Sequence, residues 1–112
     1  MTTYRQGDIL LVPFPFTDQT AVKQRPAVVL SGASYNRDHR DVILAPVTSQ
    51  TAGRSDEVLI EDWEATGLLN PSAVKPVLSS FDVGLVRRQL GTLSGNDLHA
   101  VRALFGRILE LI

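Results

Sequence analysis

The chain has 112 residues, 44% of them hydrophobic, which fits one domain able to bury a core without covalent staples. It holds no cysteine, so disulfides, thiolate metal sites and cysteine nucleophiles are excluded. Eleven Lys and Arg against twelve Asp and Glu give a formal charge of −1, so a polyanionic partner must be met by a local patch rather than by the whole surface.

The N-terminal MTTYRQGDIL has no basic segment leading into an apolar one, and every apolar run falls short of the roughly 18 residues that cross a membrane. The expectation is a soluble, cytoplasmic protein. Residues 7–14 (GDILLVPF) read as a continuous apolar strand stopped by Pro13 and Pro15. Residues 14–25 (FPFTDQTAVKQR) show no period, and so long an irregular stretch in a small domain predicts a functional loop. Residues 26–31 (PAVVLS) form a second strand with Pro26 as its first residue and Arg25 at its mouth. Residues 34–41 (SYNRDHRD) read as a polar turn. Residues 42–47 (VILAPV) are a third strand, with Pro46 implying an edge or bulge near its end and Thr48 and Ser49 directly after it.

Beyond a polar loop at 50–56, residues 57–60 start or finish a fourth strand, and 61–66 fit one helical turn ended by Gly67. Trp63 reads as a packing anchor. Residues 75–81 and 85–92 alternate as two further strands across a turn at 82–84. The period then changes: Leu98, Val101, Leu104, Phe105, Ile108, Leu109 and Ile112 recur at spacings of three and four, behind a capping signal made by Ser94 and Asp97. Roughly five or six short strands closed by a helix predict a mainly β fold, a small partly closed barrel or twisted sheet with a C-terminal helix.

His39 and His99, the only histidines, lie in no metal-ligand spacing, and the glycines are isolated turn residues rather than a phosphate loop, so no metal or cofactor is expected. What remains is a pair of strand ends. If the second and third strands pair antiparallel, the start of one lies beside the end of the other, which brings Arg25 to Thr48. A guanidinium matches phosphate oxygens with a planar fork, and a hydroxyl adds a hydrogen bond to the same group. Arg87 and Arg88 are adjacent, so on a strand they face opposite sides and only one of them can join any given patch.

Four blocks in order, Gly7 to Asp18 (GDILLVPFPFTD), Lys23 to Ser31 (KQRPAVVLS), Ala45 to Ser49 (APVTS) and Gly67 to Lys75 (GLLNPSAVK), closely resemble the MazF/PemK family of toxin endoribonucleases. The likeness continues in Leu90 to Ser94 (LGTLS). The resemblance implies an SH3-like barrel of about five to seven strands with a C-terminal helix. It implies a homodimer, blocked by a cognate antitoxin, that cuts single-stranded RNA without a metal by attack of the ribose 2′-OH. On the matching positions Arg25 and Thr48 become the catalytic pair. An arginine of pKa above 12 is a poor general base, so Arg25 is assigned first to stabilising charge on the phosphoryl group. Around the pair, Phe16 is expected to stack on a base, Thr17, Gln24, Ser49 and Gln50 to read base edges or backbone, and Lys23 and Arg54 to attract phosphate. Two rival readings are a toxin of the same barrel that poisons a topoisomerase and an SH3-like binding module without activity.

Overall fold

The computed structural model describes residues 3–15, 22–51 and 56–111. Three long antiparallel strands, β1 (Asp8–Pro15), β2 (Val22–Val29) and β3 (Asp41–Thr48), form the middle of one curled sheet. The short strands β4 (Val58–Leu59), β5 (Ala73–Val74), β6 (Ser79–Asp82) and β7 (Arg88–Thr92) complete it in the order β4-β5-β3-β2-β1-β7, with β6 also paired to β3. The result is the expected mainly β half-barrel, and the C-terminal helix packs on it.

β1, β3 and the second half of β2 are apolar at nearly every position because both faces of the sheet are covered there. On one face Ile9, Val28, Ala45 and Val47 meet Val101, Leu104 and Phe105 of the C-terminal helix. On the other, Leu10, Val12, Ala27, Val29 and Leu44 pack with Phe81, Val83 and Val86 from the β6 side. Each fully buried aliphatic side chain here contributes roughly 1.5–3 kcal/mol. The helix spans Gly95–Ile108 and starts as expected: the Ser94 hydroxyl accepts the Asp97 N–H at 3.2 Å. Leu109 lies past its end and is exposed, and Ile112 falls outside the described residues. Trp63 is half-buried against the core, in its expected role.

Several local expectations need correction. β1 runs through Pro13 to Pro15, because its ladder to β7 ends at Leu11 and the later prolines stand on a free edge that asks for no N–H donor. β2 begins at Val22, so part of the expected loop is strand and Arg25 lies inside β2, opposite Val12, instead of at its mouth. Pro26 is tolerated within the strand because the ladder to β3 starts only at Ala27. Residues 33–38, read as turn, form the short helix α1 (Ala33–Asp38). No apolar stripe announces α1. It is held by buried Asn36, whose Nδ2 donates to the carbonyls of Tyr4 (2.8 Å) and Ser31 (3.0 Å).

Residues 61–67 are a run of turns, and the strand expected over 75–81 shrinks to β6 while β5 forms just before it. Residues 83–85 are a 3₁₀ turn whose preceding Asp82 side chain accepts the Gly84 N–H at 2.7 Å, so β7 begins only at Arg88. The C-terminal helix, Gly95–Ile108, is α2. Among the described residues no helix is long and apolar enough to cross a membrane.

Candidate functional site

Two ladders run out at one place in the sheet. β7 follows β1 only to the pair Leu11↔Arg88, and β3 meets β2 only from Ala27↔Pro46. β1 and β2 continue alone to Pro15↔Val22, so their ends leave the sheet as a two-stranded ribbon with Arg25 at its root. The β2–β3 ladder stops two residues short of Arg25 and Thr48, so the strand-end expectation holds for the neighbouring of the strands and the two residues are not paired in it. There β3 takes a different neighbour, pairing Thr48 with Ala73 of β5. Between the diverging strands lies a cleft of about 250 Å³.

Its walls come from β1, β2, the end of β3, β7 and residues 67–72. Arg25 and Arg88 both line it, and among the described residues no carboxylate does. In a chain of net charge −1 this is a local excess of positive charge, the kind of patch that composition leaves open. The Arg25 Nε is buried, so part of the guanidinium is sunk in the wall. Gln24 and Ser49 line the cleft as well. Thr48 is half-buried beside it, and its Oγ1 accepts the Gln50 N–H at 3.1 Å, which orients the oxygen and leaves the hydroxyl proton for another acceptor. Gln50 and Lys23 are exposed and are not part of the lining. Phe16, Thr17 and Arg54 lie outside the described residues.

The wall at residues 67–72 is fixed from behind. Gly67 adopts φ +83°, and a Cβ on Gly91 would overlap the carbonyl oxygen of Thr66, so this turn sits directly on β7. The Asp97 carboxylate, buried at the start of α2, accepts the N–H groups of Glu61 (3.0 Å) and Asp62 (2.9 Å) and ties the same turn to the helix. Asp97 therefore does more than flank a cap: it couples the helix to the wall of the cleft. Asn70 and Ser72 also line the cleft and were not singled out from sequence, and Arg88, weighed there only together with Arg87, lines it too. The available signal for Arg88 was its place beside Arg87 on a strand, which alone could not say which of the two faces inward.

Elsewhere, a larger groove of about 560 Å³ runs past the end of α2 between Leu30, Ile43, Leu78, Phe105 and Leu109. His39 is exposed and stacks on Tyr35 with ring centroids 4.0 Å apart. Among the described residues no three His, Asp or Glu gather as a metal site.

Residues 5–109 match the model of a family described as PemK-like, MazF-like toxin of type II toxin-antitoxin system. Among solved structures, the chain is similar to MazF from Deinococcus radiodurans, with 27% identity and a TM-score of 0.77 over 98% of this chain and 99% of that one. A MazE–MazF structure from the same organism shares 26% identity, with a TM-score of 0.75 over 97% of each chain. An endoribonuclease in complex with its cognate antitoxin from a mycobacterial species shares 14% identity and the fold, with a TM-score of 0.79 over 98% of this chain and 96% of that one. No curated protein sequence matches the chain significantly.

Proposed function

The chain belongs to the PemK-like, MazF-like toxins of type II toxin-antitoxin systems, and from that footing we propose that it is an endoribonuclease that cleaves single-stranded RNA at the Arg25 cleft. The observation that supports this reading is the cleft itself, with Arg25 and Arg88 in its lining, Thr48 half-buried beside it and, among the described residues, no carboxylate there.

In the proposed reaction the ribose 2′-oxygen attacks the adjacent phosphorus and loses its proton. The P–O5′ bond breaks, the 5′ oxygen takes up a proton, and the products carry a 2′,3′-cyclic phosphate and a 5′-OH. The nucleophile is supplied by the substrate, so neither a protein nucleophile nor a metal is required. Arg25 offsets the negative charge that builds on the phosphoryl oxygens, and the Thr48 hydroxyl donates to the same group. Gln24, Ser49 and Gln50 contact bases or backbone on either side, and Lys23 adds nonspecific attraction to phosphate. Phe16, Thr17 and Arg54 keep the roles of base stacking, edge reading and phosphate attraction that the family resemblance implies.

A homodimer and a cognate antitoxin complete the proposal. The Deinococcus relatives are MazE–MazF assemblies, and an acidic antitoxin segment would complement the two arginines of the cleft.

The test is incubation of the purified protein with a mixed-sequence RNA pool in EDTA, followed by mapping of product ends. The expected result is discrete cleavage leaving cyclic phosphate and 5′-OH termini. Intact RNA across the whole pool overturns the reading.

A further inference from the structure

We propose that Arg88 is a second phosphate-binding residue of the cleft, holding a phosphate that neighbours the one at Arg25. The proposal rests on the reading of the cleft as an RNA site and adds a residue to it.

The structure decides between the two adjacent arginines. Arg88 pairs with Leu11 in the β1–β7 ladder and lines the cleft. Arg87 precedes β7, gives its backbone N–H to the Leu11 carbonyl at 2.8 Å, and leaves its side chain exposed outside the cleft lining. β2 and β7 flank β1, and Arg25 and Arg88 face adjacent β1 residues, Val12 and Leu11. Two strand spacings set their backbones roughly 10 Å apart, and both residues line the cleft, Arg25 from β2 and Arg88 from β7.

Charge points the same way. Among the described residues the ion pairs engage Arg37, Arg40 and Arg107, and Arg88 joins none of them. Among the described residues no carboxylate lines the cleft to neutralise it. An anion is the matching ligand, and a planar guanidinium suits a phosphate in two-point contact. The hollow, about 250 Å³, falls below the roughly 300–1,000 Å³ of sites that engulf a small molecule, which suits a nucleic-acid backbone laid across it.

A phosphate held away from the scissile one is gripped equally before and during the reaction. Losing the grip therefore raises KM and leaves kcat nearly unchanged. The test compares the wild type with Arg88→Ala, Arg88→Lys and Arg87→Ala on a cleavable RNA oligonucleotide. Arg88→Ala is expected to raise KM about tenfold with kcat within about twofold, Arg88→Lys to fall between, and Arg87→Ala to match the wild type.

In parallel, binding of the same oligonucleotide is measured by fluorescence anisotropy against salt in an Arg25→Ala background that does not cut. Adding Arg88→Ala lowers the slope of log affinity on log salt by roughly 0.7, the contribution of one phosphate contact in a single strand. The proposal is overturned if Arg88→Ala behaves as Arg87→Ala in both KM and slope, or if kcat falls at unchanged KM. Should Arg88→Ala fold poorly, Arg88→Gln takes its place, and a KM and salt slope identical to wild type overturn the proposal as well. Absence of cleavage by the wild type would sink the cleavage reading, while an Arg88-dependent salt slope would still be read from binding alone.

Discussion

Two hollows among the described residues differ in what lines them, and the smaller one is the proposed RNA site. The groove past the end of α2, about 560 Å³, is walled mainly by aliphatic and aromatic side chains with Arg102 at its margin. The Arg25 cleft, at about 250 Å³, is less than half that size and gathers two arginines with Gln24, Ser49, Asn70 and Ser72. The difference arises from how each is made. The groove lies between a helix and sheet positions whose backbone groups are already paired. The cleft lies where the β1–β7 and β2–β3 ladders stop, and strand ends leave polar side chains to converge without being used up in pairing. Size measures how much surface two elements fail to cover, whereas the placement of ladder ends decides which chemistry can gather.

The sharpest way to break this contrast is to remove one arginine from each hollow. Arg25→Ala is expected to lower the rate of RNA cleavage by about 10²–10³-fold with the thermal midpoint unchanged, as loss of a preorganised charge donor does. Arg102→Ala should leave the rate within about twofold. Equal losses in the two variants would erase the distinction between the hollows.

The next effect is on stability and tests whether the cleft wall depends on the helix. Asp97→Ala strips the acceptor from the Glu61 and Asp62 N–H groups and should cost about 2–3 kcal/mol in urea unfolding. Because that turn leads into residues 67–72, cleavage per folded molecule should fall too, and a purely global loss of stability with normal specific activity would show that the wall stands without this tie. The smallest change is expected from Ser94→Ala, which removes only the helix cap. It should cost about 1 kcal/mol and leave specific activity at the wild-type level. A drop in activity there would mean that the cleft senses the helix through more than Asp97.

Much of this architecture is readable from residue order alone, for a local reason. The apolar runs of β1 to β3, the three-and-four spacing of Val101, Leu104 and Phe105, and the Ser94 cap are patterns within a few residues, and each formed where its pattern lies. The antiparallel pairing of β2 with β3 was also legible, because sequential strands usually neighbour each other. The four ordered blocks made the family legible as well, over 5–109.

What only the tertiary structure decided depends on where ladders stop and on contacts far apart in the chain. The prolines of β1 look like a stop signal in sequence, yet they continue the strand because the β1–β7 ladder stops at Leu11↔Arg88 and leaves them an open edge. α1 has no stripe of its own and exists through Asn36 bonding to Tyr4 and Ser31. Asp97 looks like part of a cap and proves to be the anchor of a turn some 35 residues away in sequence. The choice of Arg88 over Arg87 follows the same logic: alternation says that one arginine must face the cleft, and only the pairing of Arg88 with Leu11, set by the length of the β1–β7 ladder, says which.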